Sequence, residues 1–455
     1  MKTLPFLKTR GSIVNLPENV KYIITTLENA GYEGYAVGGC VRDTILDRKP
    51  DDWDITTSAS PQQAKQLFAK TIDTGIQHGT ITVLLGKETY EVTTYRIDGE
   101  YEDSRHPKEV IFTSNLLEDL KRRDFTINAM AYNDRSGMVD EFGGLEDLQN
   151  KIIRCVGNPK ERFTEDALRM MRAVRFSGQL GYDIEEATAE AVRELAPTLE
   201  KISAERICTE LTKLMVSNNP DYLKKAYEMG MTDVFLPEFN AAMATSQNHP
   251  HHCYSVGEHT LHSLKNVRKD KVLRFAMLFH DMGKPLTKTT DEKGIDHFYG
   301  HAALSAEIAD RVMKRLRFDN DTRQKVVKLV KYHDLKIGLT PKQVRKAIVT
   351  LGEDLFPLLL EVKKGDFLAQ SMYMRKEKEE ELAELYRIYE QILEEKNCIS
   401  LKDLALTGSD LIQAGMKPGK EIGEVLQYLF EMVLDNPEYN AKEILLQKVA
   451  DRISK

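Results

Sequence analysis

Two stretches near the N-terminus are rich in apolar, β-branched and aromatic residues, which is typical of β-strands. They cover residues 80–85 and 90–95, with a short polar turn between them. An apolar run at residues 35–37 predicts a further strand, which ends at Gly38-Gly39. Beyond residue 140 the apolar positions recur every three to four residues, which is the helical spacing. The predicted helices cover residues 164–180, 184–195, 204–216, 274–278, 303–316 and 376–395.

This distribution predicts an α+β protein, in which a head with a mixed sheet is followed by an all-helical remainder. The chain has 455 residues, which is enough for two to four domains. It carries 64 Lys and Arg against 71 Asp and Glu, giving a formal net charge of −7. Binding of RNA would therefore require a local basic surface.

Cysteine usage and hydropathy bear on the compartment. The five cysteines are widely spaced and form no Cys-x-x-Cys pair, which argues against a disulfide framework and a zinc ribbon. A reducing cytoplasm is the expected location. No segment approaches the roughly 20 apolar residues that a membrane span needs, so we expect no membrane association and no signal peptide.

Asp52 and Asp54 lie two residues apart at a predicted strand. On a strand that spacing directs both carboxylates to one face, where they repel each other unless a cation lies between them. The pair Gly38-Gly39 allows a backbone to approach a phosphate closely. Glycines suited to a phosphate, next to carboxylates suited to a metal, predict metal-assisted phosphoryl or nucleotidyl transfer.

The order of strand, glycine turn, helix and acid-bearing strand, with the letters GGCVRD and DWD, resembles the first motif of class II tRNA nucleotidyltransferases and bacterial poly(A) polymerases. The resemblance implies a polymerase β-like nucleotidyltransferase head in which Asp52 and Asp54 hold Mg²⁺. The residues that it implies for the triphosphate pocket are Gly38, Gly39, Arg42 and Asp43. Glu91, on the next predicted strand, is either a third catalytic carboxylate or an ordinary exposed glutamate.

Residues 122–131, with the letters RRDFTINAMA, resemble the second motif of the same family. Arg122 and Arg123 suit a triphosphate, because guanidinium forks match phosphate oxygens. Asp124 and Asn128 lie four residues apart and are expected to contact the ribose of the nucleotide. The alternative is a helix start with Asp124 as its cap and the arginines in solvent.

Asp166 and Arg169 lie three residues apart on a predicted helix, so they share a face. An ion pair within the helix is the ordinary interpretation. Asp accepts hydrogen bonds and Arg donates them, while cytosine and adenine each present an amino donor beside a ring-nitrogen acceptor. The pair would select C and A over U and G, at about 1–3 kcal/mol per good bidentate contact. The family resemblance assigns them this role. Arg172 and Arg175 continue the face, either as supports for the nucleotide or the RNA end or as ordinary surface residues.

A second group of residues begins in the middle of the chain and resembles the HD metal-dependent phosphohydrolase superfamily. Imidazole and carboxylate suit transition metals and magnesium, so we expect a divalent metal site here. Its predicted ligands are His259, His280, Asp281, His301, His333 and Asp366. Lys284 is either a phosphate ligand or a cation at the C-terminus of a helix. A loop without a site role is the interpretation of His249, His251, His252 and His297.

The resemblance covers nearly the whole chain and implies four domains. They are the head at 1–140, a helical neck and body for base selection and RNA binding at 141–245, an HD domain at 246–370 and a tRNA-binding tail at 371–455. Within the tail, residues 406–423 resemble the segment of bacterial CCA-adding enzymes that contacts the tRNA elbow.

The implied function is the template-independent addition of CCA to the 3′ end of tRNA from CTP and ATP, with release of pyrophosphate, alongside a phosphohydrolase activity of the HD domain. An A-adding enzyme and a poly(A) polymerase use the same motifs and are alternatives. Residues 96–107 predict a mobile loop of the full length that is associated with adding the terminal adenosine. A third alternative is an HD phosphohydrolase whose head only binds RNA, and the intact Asp52 and Asp54 argue against it.

Overall fold

A computed structural model describes residues 14–98 and 110–453, and the chain divides into two compact units, Met1–Pro237 and Glu238–Lys455. In the described ranges, no helix is both long and apolar enough to cross a membrane. The predicted combination of a mixed-sheet head and a largely helical remainder is confirmed.

The first unit contains all strands of the large sheet. Its strands are β1 Gly34–Val37, β2 Asp54–Thr57, β3 Thr71–Gly75, β4 Thr80–Leu85, β5 Glu88–Thr94, β6 Arg96–Asp98, β7 Val110–Phe112, β8 Ala131–Asn133, β9 Gly137–Val139, β10 Ile152–Ile153 and β11 Asp183–Ile184. Its helices are α1 Glu18–Asn29, α2 Gly39–Ile45, α3 Pro61–Leu67, α4 Leu116–Lys121, α5 Gly144–Asn150, α6 Pro159–Glu165, α7 Leu168–Leu180, α8 Glu186–Leu195, α9 Ala204–Met215, α10 Leu223–Glu228 and α11 Thr232–Phe235. The helix α12 Pro237–Ala244 spans the boundary between the units.

The head is a seven-stranded sheet with the order β3-β4-β5-β2-β1-β8-β9. β2 and β5 are parallel, and the other neighbours are antiparallel. β5 is buried on one face, where Tyr90, Val92 and Thr94 are buried and Glu91 is exposed. β1 is buried along its whole length, and α1 and α3 pack together against the sheet. The sheet therefore presents the end of β1 and the start of β2 to the site.

Three local predictions are wrong. β2 begins at Asp54, so Asp52 precedes the strand instead of lying on it. The helix predicted over 164–180 is broken at Asp166, which joins α6 to α7 with extended backbone angles, φ −142° and ψ 101°. The first three residues of the predicted loop at 96–107 form β6, which pairs with β7. Residues 99–107 of that loop lie outside the described residues.

The second unit is built from helices and one short hairpin. Its remaining helices are α13 Val256–Lys265, α14 Lys271–Phe279, α15 Lys284–Thr287, α16 His301–Arg315, α17 Asn320–Tyr332, α18 Pro341–Leu351, α19 Phe356–Leu368, α20 Arg375–Glu394, α21 Gly408–Gln413, α22 Lys420–Asp435 and α23 Lys442–Ile453. The hairpin strands are β12 Thr289–Thr290 and β13 Asp296–His297.

The centre of the second unit is α14, whose residues 273–279 are all buried. α14 packs against α13, α16, α17 and α19, so a residue at its C-terminal end meets side chains from several helices. A separate apolar cluster holds the C-terminal helices together, with Leu411, Leu429, Val433 and Leu445 among its buried members. Of the predicted HD residues, His259, His301 and Asp366 lie on α13, α16 and α19, and His280, Asp281 and His333 directly follow α14 and α17.

Candidate functional site

The turn after β1 adopts a conformation that requires glycine. Gly38 has φ +82° and ψ −125°, and its N–H donates to the carbonyl oxygen of Met130 at 3.0 Å. A Cβ on Gly38 would lie 2.9 Å from Nη1 of Arg123, so a side chain would displace that guanidinium. α2 begins directly at Gly39. The main chain of the turn, which has no side chain at Gly38, therefore lies directly beside the Arg123 guanidinium.

The three predicted catalytic acids lie beside this turn. Asp54, the first residue of β2, is in register with Glu91 on the parallel strand β5. Burial and then the charge of Asp52 raise the pKa of Asp54 to about 6, while Arg123 opposes that shift. Glu91 also raises the pKa of Asp54, which places all three carboxylates in one electrostatic field. Asp52 and Glu91 are exposed, so their side chains are free to turn toward a cation.

The residues predicted to contact the triphosphate and the ribose form one hydrogen-bonded chain. Arg42 donates from Nε and Nη2 to Asp43 at 2.9 and 2.8 Å, and from Nη1 to Oδ1 of Asn128 at 2.6 Å. Asn128 donates to Oδ1 of Asp124 at 3.2 Å, and Oδ2 of Asp124 accepts from Nε of Arg172 at 2.7 Å. Burial would raise the pKa of Asp124, but Arg172 and Asn128 lower it to about 2. Asp124 is therefore charged at neutral pH.

Arg122 and Arg123 share a carboxylate that the sequence reasoning missed. Asp119, on α4, is fully buried and accepts from Arg122 at 2.7 Å, and Nη2 of Arg123 lies 3.6 Å from it. The hydroxyl of Thr56, on β2, donates to the same carboxylate at 3.2 Å. The spacing of three and four residues between Asp119 and the arginines is the sequence signal that would have indicated this pair.

The side chains of Asp166 and Arg169, which we predicted to read the base together, form their ion pairs with other residues. Arg169 donates to Oε2 of Glu165 at 2.8 Å and to the carbonyl oxygen of Arg122 at 3.1 Å. Asp166 lies in the break between α6 and α7 and pairs with Arg206 of α9 at 2.8 Å. The sequence reasoning missed Arg206, because nothing in the local pattern connects residues that lie 40 positions apart.

Three guanidinium groups surround the ring of Phe176. Arg42, Arg172 and Arg175 lie 5.0, 5.3 and 3.8 Å from its centroid. Arg175 also pairs with the buried carboxylate of Glu210 on α9. Cations over an aromatic face are attracted by its quadrupole, so Phe176 holds together arginines that would otherwise repel each other.

The six predicted HD residues meet in the second unit around Asp281. Nε2 of His259 and Nε2 of His280 lie 3.6 and 3.3 Å from Oδ2 of Asp281. Nε2 of His301 and Nε2 of His333 lie 3.4 and 3.7 Å from Oδ1 of the same residue. Oδ1 of Asp366 lies 2.9 Å from Nε2 of His259. Two groups of possible metal ligands therefore share the carboxylate of Asp281: His259 with His280, and His301 with His333. In the described part of the chain these are the groups whose ligand atoms lie close enough together to hold a metal ion.

The orientation of the imidazoles is fixed by main-chain carbonyls. Nδ1 of His280, His301 and His333 lies 2.7, 2.8 and 2.7 Å from the carbonyl oxygen three residues earlier. Nδ1 of His259 lies 3.4 Å from the carbonyl oxygen of Ala369. A ring that donates through Nδ1 presents a bare lone pair at Nε2, which is the form that binds a metal.

The loop that we interpreted as having no site role reaches this centre. His249 and His252 line a cavity of about 590 Å³ together with Asp366 and His333. The ring of His252 lies 5.7 Å from that of His259, and burial lowers its pKa to about 3. Of the two predicted roles of Lys284, the cation at the C-terminus of a helix is wrong, and phosphate binding stays a prediction. Nζ of Lys284 pairs with Asp281 at 2.8 Å, and the residue begins α15.

We expect Asp54→Asn to stabilise the metal-free protein at pH 7. Because the folded pKa of Asp54 is about 6, above the ordinary 3.8, the folded protein binds more protons than the unfolded chain between these values. Stability therefore falls as the pH rises through this window, and the neutral amide removes that loss. The free energy of unfolding of the Asp54→Asn variant should exceed that of the wild type by about 3 kcal/mol at pH 7, and this difference should shrink toward pH 4. Denaturant unfolding in EDTA at both pH values measures it, and an equal effect at both would contradict the raised pKa.

Three family profiles match successive parts of the chain. Residues 34–154 match "Poly A polymerase head domain", and residues 181–243 match "Probable RNA and SrmB- binding site of polymerase A". Residues 287–449 match tRNA nucleotidyltransferase domain 2. The first match covers the large sheet with the predicted catalytic acids, and the second covers α9, which carries Arg206.

The chain is also similar over nearly its whole length to curated and solved proteins. It is 36% identical over 433 residues to the CCA-adding enzyme of Lactobacillus helveticus, covering 94% of this chain and 96% of that one. It is 38% identical over 436 residues to the CCA-adding enzyme of Limosilactobacillus reuteri, with 95% and 96% covered. The crystal structure of the Bacillus stearothermophilus CCA-adding enzyme in complex with CTP matches with a TM-score of 0.70 at 29% identity, covering 96% and 98%. The Thermotoga maritima enzyme complexed with tRNA shares the fold, with a TM-score of 0.56 at 21% identity and 95% and 94% covered. The resemblance found in the motifs is thus confirmed, and the chain belongs to the family of bacterial class II CCA-adding enzymes, which are nucleotidyltransferases.

Proposed function

We propose that the first unit adds C, C and A to the 3′ end of tRNA at the acids Asp52, Asp54 and Glu91, using CTP and ATP and releasing pyrophosphate. One observation carries this proposal: the bare turn at Gly38 places Arg123 beside Asp54, so a phosphate site and an acidic metal site adjoin. This juxtaposition is what nucleotidyl transfer needs, because the α-phosphate must lie between the triphosphate clamp and the metal.

The acids fit a hard divalent cation such as Mg²⁺, which prefers carboxylate oxygens. Asp52 and Asp54 would hold it, with Glu91 in register beside Asp54. Such an ion supplies Lewis-acid chemistry, lowering the pKa of the attacking 3′-hydroxyl and offsetting charge on the α-phosphate. The raised pKa of Asp54 supports this assignment, because it reports an uncompensated negative field at the site.

The arginines around the turn are proposed to bind the nucleotide. Arg122 and Arg123 together face one carboxylate, Asp119, so positive charge is concentrated there for the triphosphate. Arg42 and Asp43 shape the pocket, and Asn128 and Asp124 bind the ribose. Their hydrogen-bonded chain supports this by fixing each side chain before the nucleotide arrives.

Asp166 and Arg169 are proposed to select the base. Asp166 accepts a hydrogen bond from the amino group of cytosine or adenine, and Arg169 donates one to the ring nitrogen. Their positions at a helix break and on the first turn of α7 support this, because both side chains leave the same short segment. Arg172 and Arg175 support them from the next turns of α7.

The domain assignment is proposed along the same lines. The head occupies residues 1–140, the base-selecting and RNA-binding neck and body 141–245, the HD domain 246–370 and a tRNA-binding tail 371–455. We place the activity in the cytoplasm, which is supported by five widely spaced cysteines that include no Cys-x-x-Cys pair.

For the HD domain we propose a centre for two divalent metal ions bridged by Asp281. His259, His280 and Asp366 would hold one ion near Oδ2, and His301 and His333 the other near Oδ1. The geometry supports this because two imidazole Nε2 atoms lie 3.2 Å apart in each half, which places both within reach of one cation. The ions would supply Lewis-acid activation for phosphate-ester hydrolysis.

Incorporation of single nucleotides tests the main proposal. On tRNA transcripts that end at the discriminator base, after C and after CC, we expect addition of C, C and A respectively, with UTP and GTP rejected. Addition of A alone to the CC-ended transcript would instead show an A-adding enzyme. Unlimited A tailing would show a poly(A) polymerase, and no incorporation would leave only the HD centre as a candidate active site.

Asp52→Ala should reduce nucleotide addition by about 10³-fold or more, because it removes a ligand of the ion that stabilises the transition-state charge. Asp51→Ala is the matched control, since Asp51 is an exposed acid one residue away. Initial rates of CTP incorporation measure the effect. Residual addition near the wild-type rate in the Asp52 variant would contradict the metal role.

Arg169→Ala should relax the choice of C and A more than it weakens triphosphate binding, because the lost donor faces the base. The ratio of kcat/KM for CTP to that for UTP should fall by about tenfold or more. Lys160→Ala, which removes an exposed cation from α6, should leave that ratio unchanged. Continued exclusion of UTP and GTP by the Arg169 variant would refute the protein template.

Metal content tests the HD proposal separately. After loading with Mn²⁺ and desalting, Asp281→Ala should lose both HD-bound ions, because its two oxygens serve both halves of the centre. His301→Ala should lose one, and His262→Ala, an exposed histidine on the same helix as His259, should lose none. Elemental analysis against protein concentration gives the stoichiometry, and an unchanged value in the Asp281 variant would refute the centre.

A further inference from the structure

The carboxylate of Asp166 is held by a two-pronged contact from α9. Arg206 donates from Nη2 to Oδ2 at 2.8 Å and from Nη1 to Oδ1 at 3.3 Å. The N–H of Leu168 donates to Oδ1 at 3.0 Å. Both side chains of the ion pair are largely shielded, with 23% of Arg206 and 17% of Asp166 exposed. A planar guanidinium that grips both oxygens fixes the plane of the carboxylate as well as its position.

The position of Arg206 is in turn fixed by a deeper ion pair. One helical turn further along α9, Glu210 pairs with Arg175 of α7, and their side chains are 5% and 8% exposed. α9 packs along α7, so one ion pair joins α9 to the break that precedes α7 and the other joins α9 to α7 itself. Breaking a buried pair of this kind is costly, so the register between α7 and α9 is well determined.

The carboxylate of Asp166 needs Arg206 to fix its orientation, because the backbone around Asp166 restricts the side chain little. It lies in extended backbone between two helices, outside any helical hydrogen-bond pattern that would restrict its side chain. An ionised carboxylate offers about four acceptor positions, and Arg206 and Leu168 occupy three of them. One acceptor position remains, which matches the single amino group that cytosine or adenine presents.

We propose that Arg206 is a positioning residue for base selection, which orients the carboxylate of Asp166 toward the amino group of the incoming base. This inference rests on the proposed role of Asp166 in reading the base. Arg206 contacts neither the nucleotide nor the reacting atoms in this arrangement. It acts by holding the carboxylate of Asp166 at one orientation, so that a base with a carbonyl oxygen at that position meets a fixed acceptor instead of a donor.

Selectivity measurements on Arg206 variants test the proposal. With Arg206→Ala, the ratio of kcat/KM for CTP to that for UTP should fall about tenfold or more on tRNA that lacks CCA. Arg206→Lys keeps the charge but not the fork, so KM for CTP should stay near the wild-type value while the same ratio falls. A merely structural role would instead lower kcat/KM for all nucleotides together and leave the ratio unchanged.

Two reference variants separate the possible failures. Arg193→Ala removes an exposed arginine that pairs with Glu186 on the neighbouring helix α8, and should behave as wild type. Asp166→Ala should relax selectivity at least as far as Arg206→Ala. If Asp166→Ala relaxes the ratio and the Arg206 variants keep the wild-type ratio, the positioning role is overturned by itself. If Asp166→Ala also keeps it, the proposed base reading fails, and the inference fails with it. If Arg206→Ala does not fold, the ratio measured with Arg206→Lys decides.

Discussion

The first unit depends on one constraint: a charge that is removed from water needs a partner of opposite sign. Asp124 illustrates it, because this carboxylate is buried and yet stays ionised through Arg172 and Asn128. Asp124 follows α4 in the head, whereas Arg172 lies on α7, so their ion pair ties the head to α7. Loss of Arg172 would leave the buried charge of Asp124 without its cation, which is far costlier than the loss of an exposed pair.

The same constraint explains why α7 carries arginines at every turn. Arg172 and Arg175 need Asp124 and Glu210, and both also contact the ring of Phe176. Each pair leads to a different element, one to the head and the other to α9. Residues that keep α7 in place are therefore the same residues that line the proposed nucleotide site. An exchange of Arg for Lys here would lose fold stability and site geometry together, since only the planar group can pair and stack at once.

Much of this arrangement could be predicted from the sequence, and the rest could not for identifiable reasons. The sequence placed Glu91 on the strand after the two acids but left its role open, because the register between β5 and β2 is a tertiary feature. The helix break at Asp166 was hidden, because the apolar residues around it keep their helical spacing. Its extended backbone is compatible with a tertiary contact to Arg206, which no local pattern reports. His249 and His252 were missed similarly, because a loop without periodicity gives no sign of the cavity that it lines.

The two proposed metal sites differ in how far they are assembled without a metal, and the charge of their ligands accounts for the difference. In the HD centre the carboxylates Asp281 and Asp366 lie among imidazoles, with Nε2 of His280 3.3 Å from Asp281 and Nε2 of His259 2.9 Å from Asp366, so each acid already has a partner. Carboxylates carry full charges, and two of them at about 4 Å repel by about 1 kcal/mol in water and about 4 kcal/mol at a protein surface. Asp52 and Glu91 are accordingly exposed, and the half-buried Asp54 has its pKa raised instead. Ligand charge thus sets how closely a fold can assemble a metal site in advance, and a site built from acids can close only together with its cation.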